Sequence, residues 1–489
     1  MKDSKLIFMI ICAVSFFLSS CKDDNKSDVR LNVAEEFRNL SFDAETGRKT
    51  IKISGPEEWH VNSSESWCTS SHSIGEGEQY VNIIVENNNT KEQRNATITI
   101  SAQGAANVII NIKQSAIQLP QYDEYIDPDN ADMRNLTSMQ LSALMSIGIN
   151  IGNTYEAIII DKNGNASGDE TSWGNTVPTK QLFQGIKNAG FTVVRMPLAF
   201  SHQLEDPTTF KIKDSWLDKI EQSVKDALEN DLFIIINCHW DGGWLIPNEA
   251  NKDYCNAKLE AIWKQLALRF RNYDDRLLFA GTNEVNDENS TVGPTAENYK
   301  VQNNYNQLFV NTVRATGGRN HYRHLLVQSY VTDVKFAVHG FQLPVDIVDN
   351  RLFLECHYYD PYDFTLMSSD TPGYKTQWGA PFSGGDVSST GQEEYMETTL
   401  GSLKKFIDSD VPVIIGEYGV ILRNDLKGDT FTKHLEARNY YFEYLVKTCF
   451  KNKLIPLYWD AGYSEKLFDR ITGEQYNPES IQAMLKGLK

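Results

Sequence analysis

The sequence predicts a (β/α)8 barrel preceded by a small all-β sandwich, an α/β protein with an all-β module in front. Two patterns predict it. Over residues 133–489, eight short apolar runs alternate with amphipathic stretches of helical period. Over residues 29–117, the period is two, in short β-branched runs separated by Asn, Gly and Glu turns. Nearly continuous apolar runs are what parallel strands buried on both faces require. Evenly spaced alternating runs without a helical period are the mark of a sandwich.

The first twenty residues read as an address rather than structure. Lys2 and Lys5 precede an apolar run of 13 residues, Leu6 to Leu18. A membrane-spanning helix needs roughly 20, so the run reads as a signal peptide. It ends Leu18-Ser19-Ser20-Cys21, which resembles a bacterial lipobox and implies acylation of Cys21. The following Lys22-Asp23-Asp24, in the tether 21–28, resembles the export tag of Bacteroidetes surface lipoproteins. The expected location is therefore the outer membrane, at the cell surface, facing outward. With the leader's Cys12 and the lipidated Cys21 set aside, five cysteines remain, an odd number in which at least one is free. Cys238 and Cys356 lie in apolar runs and read as buried small residues.

In the sandwich, Trp59 and Trp67-Cys68 come before the central runs, and Ile112-Lys113-Gln114-Ser115-Ala116 closes it. These words resemble the BACON module, an immunoglobulin-like domain at the N-terminus of glycan-degrading proteins. The resemblance implies carbohydrate binding, but a Trp in such a run is more often core than platform, so a spacer is the favoured reading. Residues 118–132 hold Pro120 and Pro128, lack a sustained period and read as a linker.

The strand runs of the barrel are 147–151, 192–197, 232–238, 277–282, 325–328, 352–356, 412–416 and 455–459. Helical patterns such as 178–189, 215–229, 256–271, 298–315 and 433–450 fall between them. A doubly wound sheet would be the alternative, but no GxGxxG follows the first strand. Barrel chemistry sits at the C-terminal strand ends. Those ends carry Asn150 and Asn153, Arg195, His239 and Trp240, Asn283 and Glu284, His357 and Tyr359, Glu417, and Trp459 and Asp460. Glu284 and Glu417 form the chief pair, because glycoside cleavage needs one carboxylic acid and one carboxylate flanking the bond. Two His would allow a metal, but no HExxH or compact third ligand accompanies them; no metal and no cofactor is expected.

The ordered set Arg195, His239, Asn283-Glu284, His357-Tyr358-Tyr359, Glu417 and Trp459 resembles glycoside hydrolase family 5. The surrounding words Gly148-Ile149-Asn150-Ile151-Gly152-Asn153-Thr154, His239-Trp240-Asp241-Gly242-Gly243-Trp244 and Ile415-Gly416-Glu417-Tyr418-Gly419 resemble its endoglucanase/xyloglucanase branch, subfamily 4. The resemblance implies a retaining endo-β-1,4-glucanase, with Glu284 as general acid/base and Glu417 as nucleophile. It makes Arg195 and Tyr359 the groups that hold Glu417 ionised, Asn283 the partner of the sugar 2-hydroxyl, and His239 and His357 supports. Trp459 would floor the central subsite, with Asn153, Trp173, Trp244 and Trp378 as further substrate-binding candidates. Trp216 and Trp263 lie inside helical patterns and read as core. Where this branch commonly has Trp, a second His and Asn, this sequence has Ile149, Trp240 and Ala461. All three border the cleft and bear on substrate choice.

The expected substrates are xyloglucan, mixed-linkage glucan or another β-1,4-glucan. The alternatives are an endo-β-mannanase or xylanase of the same family, or a glycan-binding surface lipoprotein without the chemistry. The formal charge of −18 argues against nucleic acid, which needs clustered cations. Residues 118–489 account for −15 of it, which favours a neutral polysaccharide over an acidic one. The expected partners are thus the polysaccharide and, through lipid, the membrane; a monomer is the expected state.

Overall fold

The computed structural model describes residues 30–44, 46–55, 58–88, 90–287, 293–463 and 466–489. The leader, the tether and Cys21 lie outside the described residues, as do Pro56 and Glu57. The chain divides between Ile117 and Gln118 into two compact units.

The first unit is a two-sheet sandwich. One sheet has the order Asn39–Phe42, Val108–Gln114, Arg94–Ser101, Trp59–Ser63, Ile74–Gly75; the other has the order Gly47–Ser54, Glu78–Val85, Cys68–Ser70. The alternation is strict where the sequence alternates: in Val108–Gln114 every second residue is buried and the rest are exposed. Its core gathers Ile51, Ile53, Val81, Ile83, Ile98, Ile100 and Ile110 around Trp59. Trp59 has no exposed surface, and its indole N–H donates to the Gly77 carbonyl at 3.1 Å. Trp67 is half-buried with the Arg94 guanidinium 4.1 Å over its ring. Neither ring is free to stack on a sugar.

In the second unit, eight parallel strands close into a barrel: β1 (Gly148–Ile151), β2 (Val193–Met196), β3 (Phe233–Asn237), β4 (Leu277–Ala280), β5 (Leu325–Asp333), β6 (Leu352–His357), β7 (Val413–Tyr418) and β8 (Ile455–Asp460). All eight fall on the expected runs. The barrel closes where Leu457 of β8 pairs with Gly148 of β1. One main helix follows each strand: α1 (Lys180–Asn188), α2 (Asp214–Glu229), α3 (Lys252–Arg269), α4 (Ala296–Arg314), α5 (Val334–Gly340), α6 (Glu393–Gly401), α7 (Gly428–Lys451) and α8 (Pro478–Lys486).

Why the strands read as unbroken apolar runs is visible in their two faces. Val193, Phe233, Ile235, Leu278, Leu326, Phe353, Ile414 and Leu457 pack together in one cluster inside the barrel. Their neighbours Val194, Ile234, Ile236, Leu277, Val327, Leu354 and Ile415 belong to the layer shared with the helices. Side chains alternate faces along a strand, so the inside positions one step further along, toward the C-terminal ends, are Asn150, Arg195, Asn237, Gln328 and Glu355. All five are buried polar groups. Apolar filling below and polar groups above is how the fold presents its site.

Residues 118–132 are not a free linker. The Tyr122 hydroxyl donates to Glu260 of α3 at 2.7 Å, the Glu124 carbonyl accepts from Arg271 at 2.7 Å, and Ile126 bridges to Gly317. Tyr122, Glu124 and Ile126 supply contacts that a reading of Pro content and missing period does not show. All five cysteines of the described residues, Cys68, Cys238, Cys255, Cys356 and Cys449, are free and buried. No helix of the described residues is long and apolar enough to cross a membrane.

Candidate active site

The mouth of the barrel is organised around Arg195, which has no exposed surface. Its Nη1 donates to Glu417 Oε1 and to Asn150 Oδ1, both at 2.9 Å, and its Nη2 donates to Asn283 Oδ1 at 2.7 Å. Its Nε lies 2.7 Å from Oε1 of Glu355, an ion pair with no exposed surface on either side. Asn150 is oriented in turn by donating to the carbonyls of Gly416 and Tyr458.

Glu417 ends the apolar part of β7 and is buried. The Tyr359 hydroxyl donates to its Oε2 at 3.0 Å. The Arg195 and Tyr359 contacts expected from the sequence are therefore present, but they do not decide the balance. Burial pushes the Glu417 carboxyl above its ordinary value, with Glu284 adding to the rise, against the pull of His357 and Arg195. Glu284 follows β4 and is 40% exposed, so it meets solvent and substrate while Glu417 lies beneath. His357 joins the two: its Nδ1 is 2.7 Å from Glu284 Oε1 and 3.6 Å from Glu417 Oε2. A carboxylate oxygen of Glu284, one of Glu417 and a ring nitrogen of His357 lie within 4.8 Å of one another.

The other ring nitrogen of His357, Nε2, is 3.4 Å from Glu355 Oε1. Burial lowers the affinity of His357 for its proton, but the charge of Glu417 and the hydrogen bonds to Glu284 and Glu355 override it and raise the group to about 9. Such an imidazolium has both nitrogens occupied by protons. The donor trio has the spacing to hold a cation, yet the His357 lone pair is protonated and a guanidinium already lies on Glu417, so the residues do not suit a metal. Glu355 itself would be raised by burial, but the Arg195 charge and the His357 and Gln328 hydrogen bonds bring it down to about 2. Gln328 donates to Glu355 Oε2 at 2.7 Å and is fixed by Thr282.

Trp459 stacks against His239, ring centroids 5.7 Å apart and planes within 8°. His239 lies well below its ordinary value because burial disfavours its charge, with Arg195 and His357 acting the same way. It is therefore a neutral ring, held by Asn237 at 3.2 Å. Gly152 lets the loop after β1 approach the indole: a Cβ there would stand 2.8 Å from it.

The remaining aromatic candidates divide. Trp378 is not a platform: it has no exposed surface, packs on Tyr440, Tyr441 and Tyr444 of α7, and donates to the Gly391 carbonyl at 2.7 Å. Trp173 is half-buried and spends its N–H on the Ile158 carbonyl. Trp244 donates to Asp241 Oδ2 at 2.8 Å, and Lys258 lies 4.4 Å over its ring. Asn153 is half-buried in left-handed backbone (φ 54°), held through its main chain by Glu156 and Asn175. The exposed ring is Trp240, at 47%. With Trp244, Asn283, Glu284 and Asp287 it lines a cavity of about 510 Å3. Trp216 and Trp263 are core, as expected.

Sequence reasoning missed Glu355 and Gln328. The signal was there: each is a polar residue on the inward parity of an apolar strand, one layer above Phe353 and Leu326.

Residues 157–465 match the cellulase family, glycosyl hydrolase family 5, and residues 57–115 match BACON, a putative N-terminal binding domain. Over 486 residues the chain is 62% identical to the xyloglucan-specific endo-β-1,4-glucanase BoGH5A of Bacteroides ovatus, covering 99% of this chain and 96% of that protein. Endoglucanase A of Paenibacillus barcinonensis is 35% identical, covering 73% and 92%. Among solved structures, a Bacteroides ovatus GH5 xyloglucanase in complex with a XXXG heptasaccharide superposes with a TM-score of 0.77 at 64% identity, over 94% of this chain and 99% of that one. A family 5 xyloglucanase from Paenibacillus pabuli gives 0.66 at 33% identity, over 72% and 100%.

Emptying the Trp378 site is expected to cost stability, not sugar binding. Trp378→Ala should lose about 3–5 kcal/mol in denaturant unfolding while KM on polysaccharide stays at the wild-type value. A raised KM with unchanged stability would restore the platform reading.

Proposed function

The chain belongs to glycosyl hydrolase family 5, and from that premise we propose that its substrate is xyloglucan, cleaved within the β-1,4-glucan backbone by double displacement. It is an endo-β-1,4-glucanase of a retaining family. The observation that carries the mechanism is the approach of Glu284 and Glu417, with carboxylate oxygens within 4.8 Å. Retaining pairs stand about 5–5.5 Å apart, whereas inverting pairs leave about 6.5–9.5 Å for a water.

In the first half-reaction, Glu417 attacks the anomeric carbon as the glycosidic C–O bond breaks, and Glu284 gives its proton to the departing oxygen. In the second, Glu284 takes a proton from water, the water oxygen bonds the anomeric carbon, and Glu417 leaves as carboxylate. Glu284 suits the first task because it is the exposed member and is held in place by its hydrogen bond with His357. Glu417 suits the second because it lies beneath, fixed by Arg195 and Tyr359. Asn283, anchored by Arg195 through Oδ1, keeps its amide N–H groups for the sugar 2-hydroxyl. Trp459, braced by His239, offers a face to the central pyranose. Xyloglucan is favoured over plain glucan by the 62% identical xyloglucan-specific relative.

We further propose that Cys21 carries lipid and holds the enzyme on the outer face of the outer membrane. The support is the Leu18–Cys21 lipobox-like word and the Lys22-Asp23-Asp24 that follows. The sandwich then serves as a spacer, a reading supported by Trp59 being core and Trp67 lying under Arg94.

Three measurements test these readings. Lipid-free protein should release reducing ends fastest from xyloglucan, more slowly from barley β-glucan and carboxymethylcellulose, and not from mannan or xylan; Glu417→Ala should lose about 10⁴-fold or more. Release chiefly from mannan or xylan would overturn the substrate, and a fully active Glu417→Ala the nucleophile. In cells fed a clickable fatty acid, the full chain should be labelled and Cys21→Ser should not; an unlabelled full chain would refute the anchor. On affinity gels the isolated sandwich should migrate alike with and without xyloglucan; retardation would make it a binding module.

A further inference from the structure

Glu355 makes no contact with the cleft, yet both cations of the site bear on it. It is wholly buried on β6, surrounded by Arg195 from β2, Gln328 from β5, His357 on its own strand and Gly416 from β7. One oxygen, Oε1, faces Arg195 Nε at 2.7 Å and His357 Nε2 at 3.4 Å. Each of those cations reaches onward to one of the paired carboxylates: Arg195 to Glu417 at 2.9 Å, His357 to Glu284 at 2.7 Å. The space for Glu355 is kept open by its neighbour in sequence to the nucleophile, since a Cβ on Gly416 would stand 2.2 Å from Oε1.

A buried ion pair is weak evidence of a role in stability, because replacing all its members together by apolar residues of similar volume is often neutral. The use of Glu355 lies in the charge count. With Glu284 protonated, the cluster holds two carboxylates, Glu355 and Glu417, against two cations, Arg195 and His357, and is neutral. Without Glu355 the same arrangement carries a net positive charge around the buried Arg195 and His357, and its protons are held less firmly. Glu417 and Tyr359 also face the Glu284–His357 pair, but neither reaches His357 Nε2.

We propose that Glu355 is a positioning residue for the reaction: through His357 and Arg195 it keeps a proton on the Glu284–His357 pair and so sets the pH range over which the general acid is loaded. The proposal rests on the roles given to Glu284 and Glu417. The alkaline limb of activity then belongs to loss of that shared proton, a property of the pair rather than of either residue. The hydrogen bond to Glu355 is one of the contacts that raise His357.

The test is the pH dependence of kcat and kcat/KM on the polysaccharide that wild type cleaves best, comparing wild type with Glu355→Gln, which preserves shape and removes the charge. The expected result is a bell displaced to lower pH, its alkaline limb by about one to two pH units, with KM little changed at the new optimum. Profiles that superimpose, with only a lowered Tm, would reduce Glu355 to a structural residue and overturn the proposal. An active Glu417→Ala would instead refute the roles beneath it, so the two failures are distinguishable. A second measurement needs no folded Glu355 variant. In ¹⁵N-histidine spectra of the wild-type chain, with His357 assigned by its loss in His357→Gln, both ring nitrogens should be protonated at pH 7. A neutral His357 at that pH would overturn the proposal.

Discussion

A guanidinium without exposed surface must find protein acceptors for its N–H groups, since water cannot supply them. Arg195 is that group: its two Nη atoms find acceptors at the mouth of the barrel, and its Nε stands against an ion-pair partner. Asn150 comes from β1, Asn283 from the loop after β4, Glu355 from β6 and Glu417 from β7. Four separate strands or strand ends are thereby tied to one planar group, whose forked geometry fixes directions as well as distances. The contact with Asn283 decides which way its amide points, and the contact with Glu417 decides which oxygen is left for Tyr359.

The barrel supplies Arg195, Asn150 and Glu355 through parity, while Glu417 reaches the site where the β6–β7 ladder slips by one residue. Because each strand is buried on both faces, its inward residues fill the barrel low down and become available for chemistry only in the last layer. Val193 and Arg195 share a face of β2, as do Phe353, Glu355 and His357 on β6. The same two-residue period that makes the core thus aims the site, and the helices outside need only the intervening apolar residues to hold the strands in place.

That rule also explains what the sequence made legible. The eight strands were visible because burial on both faces leaves an apolar run, and Arg195, His239, Asn283, Glu284, His357, Tyr359, Glu417 and Trp459 were visible because they stand where such runs end. Glu355 and Gln328 lie inside the runs, where a polar residue reads as an exception unless parity is counted. Trp378 failed for a different reason. It lies in a loop, and its burial depends on Tyr440, Tyr441 and Tyr444, about sixty residues further along the chain on α7. Trp240 was visible at the end of β3 but was not counted among the binding candidates; it is the exposed ring of the cavity, whereas Trp244, which also lines it, is held by Asp241 and Lys258. Residues 118–132 were misread because local composition carries no record of Glu260 or Arg271.

The two half-reactions place opposite demands on these charges. When Glu417 becomes a glycosyl ester, its negative charge is gone, and Arg195 would be left as a buried cation opposite a neutral group. Removing one partner of a buried pair is what makes such pairs costly. Glu355 prevents this, since its contact with Arg195 Nε is untouched by anything that happens to Glu417. His357 is covered in the same way: whether Glu284 holds its proton or has given it to the leaving oxygen, Nε2 still faces Glu355. A carboxylate that takes no part in bond making therefore lets both cations keep their positions while the charges of the two reacting carboxylates change in turn. Asn283 and Tyr359, positioned from that same framework, meet the same geometry in the glycosylation and in the water-attack step.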